Sequence, residues 1–459
     1  MPEGHKLQDR WYVGYLVCIL CFALTVWAFY PGMMSPDSIA NLNDGRSGTL
    51  NDINAPLMGW LWGLLDEIIA GPGLMFLLQN AVFWSAAALF WRAAYRESFW
   101  LGIALVLLGL MPHVLAQIPV IWKDVGLGAS LFMAAALLFY AQKRDSRIAL
   151  IISPVFLFYA LAARLNAFPA VLPIAIWTGF AAFRVFEIQG RRMLASAVGV
   201  GYFVVLFAAV IFINDRITGG RTLYPFQQVY LYDLAALSTA KGQSLFPDHV
   251  SAGENFSLGL VGERYNTRSV NDLIYPDVPQ AGDKPPLKLT DNPNEISELK
   301  SKWWSAVKEN PGGYLYHRTS VFAQLVGLQR SVTAPYWEQG FASSPPEFRV
   351  DGNAGTWVLT KYLSAFRRPF TQTFFFRGAV WLTLCGFFLY MAVRRRLRGD
   401  WEMIFVLSLS SLLFTFAYFP TTPSTEFRYL FWPAIASAIV VIFGVKLLRA
   451  EKDHQDLTV

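Results

Sequence analysis

This sequence predicts an all-α polytopic membrane protein of about ten spans, with one large extramembrane domain of mixed or α character before span eight. Three observations lead there. Of 459 residues, 54% are hydrophobic and 15% charged, whereas soluble domains carry about a quarter charged residues. Several runs reach the ~18 apolar residues that a bilayer-crossing helix needs. Cations crowd into alternate loops, the pattern of chains threaded back and forth through a membrane. Lipid leaves no partner for free backbone groups, so the apolar runs must be helices.

In order, the spans read as Trp11–Tyr30, Leu74–Trp91, Phe99–Ala116, Val125–Gln142, Ile148–Ala163, Pro169–Phe183, Leu194–Ile213, Phe374–Val393, Met403–Phe419 and Tyr429–Leu448. Span one lacks a small-residue cleavage site and reads as a retained helix. Cys18, Cys21 and Cys385 lie inside spans, so no disulfide framework is expected. One set of loops holds seventeen cations, among them Lys143, Arg184, Arg192 and Arg398. The alternate set holds Arg46, Lys123, Arg164 and Arg428. Positive loops stay cytoplasmic, which places both termini inside. Net charge is +6; the cytoplasmic rim accounts for much of it, and no nucleic-acid motif occurs.

The chain divides into an N-terminal membrane module at 1–213, a polar unit at 214–373 and C-terminal spans with a tail at 374–459. The first outer loop occupies 31–72. Composition changes at about residue 214, where Pro, Gly, Asn, Asp and Lys become frequent. That unit, predicted to lie outside, is large enough for its own core. Within it, two helices flank Pro311-Gly312-Gly313, the first capped by Asn294. Trp303 and Trp304 read as core packing. His113, beside Pro112, reads as a packing residue. The five histidines show no metal-ligand spacing.

Charge meets the outer helix ends at four places. The first loop, "YPGMMSPDSIANLNDGRSGTLNDINAPLMGWLWGLL", supplies Asp37, Asp44 and Asp52. "IPVIWKDVGLG" supplies Lys123 and Asp124, "ALAARLNAFPA" supplies Arg164 and Asn166, and "TTPSTEFRYLFWP" supplies Glu426, Arg428 and Tyr429. Charges at membrane depth usually face a cavity or a partner. Such a set suits transfer from a lipid carrying a phosphate leaving group. Lys123, Arg164 and Arg428 would neutralise the departing phosphate. Asp37 would accept the proton of an attacking hydroxyl, with Asp52, Asp124, Asn166, Glu426 and Tyr429 in support. Simpler roles compete. Asp37 could cap a helix beginning near Ile39. Asp44 and Asp52 could be solvated turn residues. Lys123 could snorkel to headgroups, Arg164 could anchor the interface, and Arg428 could pair only with Glu426. Asp66 and Glu67 read as the wet face of an interfacial helix.

The order of these motifs resembles the GT-C superfamily of integral-membrane glycosyltransferases, which includes the protein mannosyltransferases and the lipid A aminoarabinose transferase. "SPDS" with Asp37 stands after the first span. "NAPLMGWLW", "WKDVGLG", "ARLNAFP", a large outer domain and "TEFRYLFWP" follow in order. The resemblance covers the membrane part, more than half of the chain. It implies an inverting transferase of the cell envelope, in a bacterial inner membrane, with the large domain periplasmic. The donor would be a polyprenyl-phosphate-linked sugar. The acceptor would be extracytoplasmic: lipopolysaccharide or another glycolipid, a glycan or a protein. Asp37 would be the acceptor base, with Arg428 and Lys123 near the donor phosphate. Many relatives carry His-Pro-Pro where this chain has Asn54-Ala55-Pro56, which weakens a metal at that spot. Asp37 and Asp52 could still hold a divalent ion, Mg or Mn by their oxygen ligands; no other cofactor is implied.

Two other functions compete. An O-antigen-type polysaccharide polymerase or ligase is also polytopic, but would place its key arginines in outer loops rather than an Asp in the first. A lipid-linked sugar flippase or transporter would show inverted repeats and matched broken spans, and none is evident.

Overall fold

In the computed structural model, residues 11–253, 255–275, 284–329, 350, 352–365 and 374–456 are described. The described helices are α1 (Trp11–Phe29), α2 (Pro36–Ser47), α3 (Pro56–Ile68), α4 (Gly73–Ala94), α5 (Phe99–Leu107), α6 (Pro112–Leu115), α7 (Lys123–Arg144), α8 (Arg147–Ala163), α9 (Phe168–Val185) and α10 (Arg192–Thr218). Then come α11 (Gln227–Lys241), α12 (Asp248–Ser251), α13 (Leu258–Arg264), α14 (Asn271–Ile274), α15 (Pro293–Glu309), α16 (Pro311–Leu325), α17 (Ala354–Ala365), α18 (Gly378–Arg394), α19 (Trp401–Thr421) and α20 (Phe431–Asp456). No strand occurs among the described residues.

Seven described helical segments are long and apolar enough to cross a membrane: α1, α4, α7, Leu165–Val185, α10, α19 and Phe427–Asp453. Three shorter apolar segments, Phe99–Leu110, Arg147–Ala163 and Gly378–Arg394, coincide with the third, fifth and eighth spans read from the sequence. Burial sorts them. The apolar window of α7 is 94% buried, so α7 is the central helix, whereas that of α10 is 17% buried and turns its apolar side chains outward. An apolar helix exposed all along one side needs lipid or protein beside it.

A second apolar core lies outside this body. It gathers Leu231, Leu234 and Val250 with Val261, Leu273, Leu299, Ala306 and Val321, from α11–α16. The cap of α15 is Asn292, whose side chain accepts the Asn294 N–H, two residues before the cap the sequence suggested. Pro311 does not merely end α15; it opens α16, capped by Asn310. Trp303 packs on this core while its Nε1 donates to Asp233 at 2.8 Å. Trp304 is exposed.

The unit is fastened to the membrane body by a fully buried ionic network. Arg318 Nε lies 2.7 Å from Asp233 Oδ1, and both side chains are fully buried. Arg318 also donates to the carbonyls of Thr422 and Val229, and His317 faces the same carboxylate at 3.2 Å. Beside it, Val270 N–H donates to the Pro423 carbonyl and Thr425 N–H to the Arg268 carbonyl. Helix α17 instead returns to α1, where Asn353 and Thr356 donate to the carbonyls of Trp27 and Ala28. His113 is buried between Phe375 and Trp381, 4.7 Å from the Trp381 ring.

Candidate functional site

The first loop is built to hold Asp37 in place. Pro36 keeps Ser35 extended (φ −99°, ψ 173°). Ser35 and Ser38 then form a reciprocal capping box, so α2 begins at Pro36 and Asp37 sits in its first turn. Ser35, not Asp37, is the cap, and the Asp37 carboxylate is spared that task. The loop before α2 runs alongside the segment leading into α7. Met33 bridges Val120, Ser38 Oγ donates to the Ile121 carbonyl at 2.7 Å, and Trp122 Nε1 donates to Ser35 Oγ at 2.8 Å. Behind it, α2 meets α3 closely. A Cβ on Gly45 would sit 2.4 Å from the Gly59 carbonyl oxygen and one on Gly63 2.8 Å from that of Gly45, so glycine is required for this approach.

Arg428 is the centre of the cluster. Its Nη1 lies 2.6 Å from Asp37 Oδ2. Its Nε faces Glu426 as an ion pair and lies 3.9 Å from Asp124 Oδ2. The guanidinium sits 4.9 Å above the Trp122 ring, a favourable face for a cation. Arg164 donates to Asp124 Oδ1 and to Asn166 Oδ1 (3.2 Å), and lies 4.6 Å from the Tyr429 ring centroid. Tyr429 stacks on Tyr418 and hydrogen-bonds Ser424. Lys123 Nζ donates to the Ile53 carbonyl at 3.0 Å. Thus the four charge-bearing helix ends read from the sequence converge, and Asp37, Lys123, Asp124, Arg164, Asn166, Glu426, Arg428 and Tyr429 form one cluster.

Exposure orders its members. The side chain of Asp124 is 3% exposed, Arg428 8% and Arg164 13%, whereas Asp37 is 45% exposed. An accessible carboxylate therefore covers one buried guanidinium, that of Arg428. Three cations face three carboxylates, so the cluster carries no net formal charge. The Asp37 carboxyl reaches solvent but is closely surrounded by protein, and that desolvation pushes its pKa up; Arg428, Lys123 and Arg164 outweigh it and hold it below the usual carboxylate range. Glu426 goes the other way. Burial raises its pKa, with Asp37 and Asp124 adding to the rise, and Arg428 does not offset them. Of these two carboxylates Glu426 is thus the readier to take up a proton.

Two acids of the first loop have other work. Both Asp52 oxygens are engaged, accepting the Thr222 hydroxyl and the Leu223 N–H, each at 2.5 Å. Asp52 thereby ties the first loop to the segment entering the second core. Asp44 lies in α2 rather than a turn and accepts the side-chain amides of Asn51 and Asn54 at 3.1 and 2.7 Å. Asn54 is thus a loop brace, Ala55 the cap position of α3 and Pro56 its first residue. Asp66 is bonded by Arg46 at 2.8 Å. No group of three or more His, Cys, Asp or Glu side chains that could hold a metal occurs among the described residues. Each carboxylate of the cluster faces a guanidinium, a donor set that does not fit a divalent ion.

Sequence reasoning missed Trp122, Tyr418 and Tyr275. Tyr275 follows α14 and lies close enough for the Asp37 charge to act on its hydroxyl. Trp122 alone carried a signal, as the neighbour of Lys123.

Among the described residues, the fold and the cluster define an all-helical architecture with seven candidate membrane helices and a half-open, charge-balanced site at one end of them. No family model, curated protein or solved structure matches the chain.

Proposed function

We propose that this chain is a membrane glycosyltransferase that moves a sugar from a polyprenyl-phosphate-linked donor to an acceptor hydroxyl at the membrane surface. The observation that carries this reading is the accessible Asp37 carboxylate lying directly on the buried guanidinium of Arg428. Buried arginines beside an exposed carboxylate suit a substrate that brings both a phosphate and a hydroxyl to one place. The motif order that resembles the GT-C superfamily supports the same class.

In this reading the donor phosphate takes the place of Asp37 on Arg428, with Lys123 and Arg164 nearby. The neutral resting cluster must make room for that negative charge, and Glu426 can do so by holding a proton. Released from its ion pair, Asp37 becomes a stronger base. The acceptor oxygen attacks the anomeric carbon on the face opposite the phosphate and inverts it. The bond from that carbon to the phosphate oxygen breaks, polyprenyl phosphate leaves with the electron pair, and Asp37 takes the acceptor proton. A phosphate is a weak base, so the leaving group needs no general acid.

The same reading assigns ten spans, counting the three shorter apolar segments. It sets both termini in the cytoplasm of a bacterial inner membrane, with the Asp37 cluster and the second core on the periplasmic side. The cationic ends support it. Lys143 bridges Glu97 and Asp400, and Lys446 also pairs with Glu97, at the far end of α7 from Lys123.

The direct test mixes purified chain in detergent with a polyprenyl-phosphate sugar labelled in the sugar, together with a lipopolysaccharide or glycolipid acceptor. Transfer without a membrane gradient supports an enzyme. Movement of the intact donor across vesicles, with no transfer, would instead make it a transporter.

A further inference from the structure

At the far end of α7 from Lys123, about 30 Å away by helix rise, a cavity of about 450 Å³ opens between α7, α9, α10 and the turn before α19. Its size falls within the roughly 300–1,000 Å³ of small-ligand sites. Four cations line it: Lys143, Arg184, Arg192 and Arg398. Two acids, Asp400 and Glu402, share the wall, and both are engaged. Asp400 is paired with Lys143 at 2.7 Å, and Glu402 accepts the Gln142 amide at 3.1 Å. Lys143 is also held by Glu97. Among the described residues no acid lies within 4 Å of Arg184, Arg192 or Arg398.

Three guanidiniums thus meet at one cavity from three separate segments: the last turn of α9, the first residue of α10 and the turn after α18. All three are open to water, and an anion entering the cavity would meet all of them. Phe180 and Met403 give the same cavity an apolar wall. Next to it the outer surface is apolar too, with Met193 81% and Leu194 54% exposed, directly following Arg192. Cations with an apolar wall, at the end of membrane-length helices, match a phosphate head with the start of its acyl chains. A soluble anion would gain nothing from that wall.

We propose that this cavity binds the phosphate head of an anionic phospholipid in the leaflet opposite the Asp37 cluster, pinning the α9–α10 connection to the turn before α19. Arginine suits this role through its bidentate fork to phosphate oxygens.

The test measures thermal unfolding of the full chain in detergent with added phosphatidylglycerol, phosphatidylcholine or inorganic phosphate. A ligand that binds only the folded state raises the unfolding midpoint as its concentration passes Kd. Phosphatidylglycerol should raise the midpoint more than phosphatidylcholine, and inorganic phosphate should not reproduce the rise. The triple variant R184Q/R192Q/R398Q should lose that increment while keeping the phosphatidylcholine midpoint. A control pair outside this cavity, R394Q/R396Q, should keep it. Should the triple variant fold poorly, R184K/R192K/R398K keeps the charge and should retain part of the increment. The proposal is overturned if R184Q/R192Q/R398Q shows the full wild-type increment, if R184K/R192K/R398K shows none of it, or if inorganic phosphate gives the same rise as the lipid.

Discussion

Arg428 Nη1 lies 2.6 Å from Asp37 Oδ2, so the most buried arginine of the cluster is covered by its most accessible carboxylate. In the absence of substrate each group satisfies the other. In the proposed function, a phosphate-bearing substrate would compete with Asp37 for Arg428, and the outcome of that competition would set the reactivity of Asp37. Weak basicity at rest and stronger basicity with donor bound would follow from this one contact.

Asp37→Asn removes the proposed base and keeps the shape. Because Ser35 supplies the cap, the substitution leaves the start of α2 intact. The variant should fold and insert normally and lose at least about a hundredfold in transfer rate, the low end of what a general base contributes. Asp44→Asn keeps an acceptor oxygen where Asn51 and Asn54 both donate, since both bond the same Asp44 oxygen, and should cost about 1 kcal/mol of stability or less with little change in rate. Parallel rate and melting measurements check both. Equal rate losses in the two variants would point to loop geometry rather than proton transfer.

The pH profile reports on the pair. Asp37 is held below the usual carboxylate range, so the carboxylate is ionised above that low value and a base role would be lost as pH falls through it. Removing Arg428 leaves burial, which raises the Asp37 pKa, less opposed. In Arg428→Gln the acid limb of the rate profile should therefore move to higher pH, and the rate should fall by about 2–4 kcal/mol of transition-state stabilisation. An acid limb that stays in place in this variant would separate Asp37 from the rate.

Arg318 ties the second core to the strip that carries Glu426 and Arg428. Removing it leaves the buried Asp233 charge without its guanidinium and frees the Thr422 carbonyl. Breaking one side of a buried ion pair typically costs about 3–5 kcal/mol. Arg318→Met should lower the unfolding midpoint sharply. Pairing it with Asp233→Asn should recover part of the loss, because the uncompensated charge is gone. A double variant no more stable than the single one would mean that the carbonyl contacts, not the ion pair, hold the strip.

The sequence carried much of this. Membrane-length apolar runs follow from lipid physics alone, and seven of them are long helices in the structure. The charged helix ends were legible because a charge beside an apolar run is costly without a partner. Which charges meet was less legible. Asp52 resembled Asp37 in composition and context, yet it serves Thr222 and Leu223, 170 and 171 positions away. The Asp233–His317–Arg318 network left no periodic mark, because its members lie on two helices whose neighbouring faces are set by tertiary packing. The cap of α15 moved from Asn294 to Asn292 because Pro293 suits the first helical position, and the residue before it must be the cap.

The most direct measurement is binding of polyprenyl phosphate to the purified chain, with the uncharged polyprenol as control, because it needs no knowledge of the sugar. Wild type should bind the phosphate more tightly than the alcohol. Arg428→Gln should weaken phosphate binding at least about tenfold, roughly 1.4 kcal/mol, and leave the alcohol unaffected. Asp37→Asn should bind the phosphate as tightly as wild type or more so, because the competing carboxylate is gone. Equal affinity for phosphate and alcohol, or weaker phosphate binding in a well-folded Asp37→Asn, would contradict a phosphate site at Arg428.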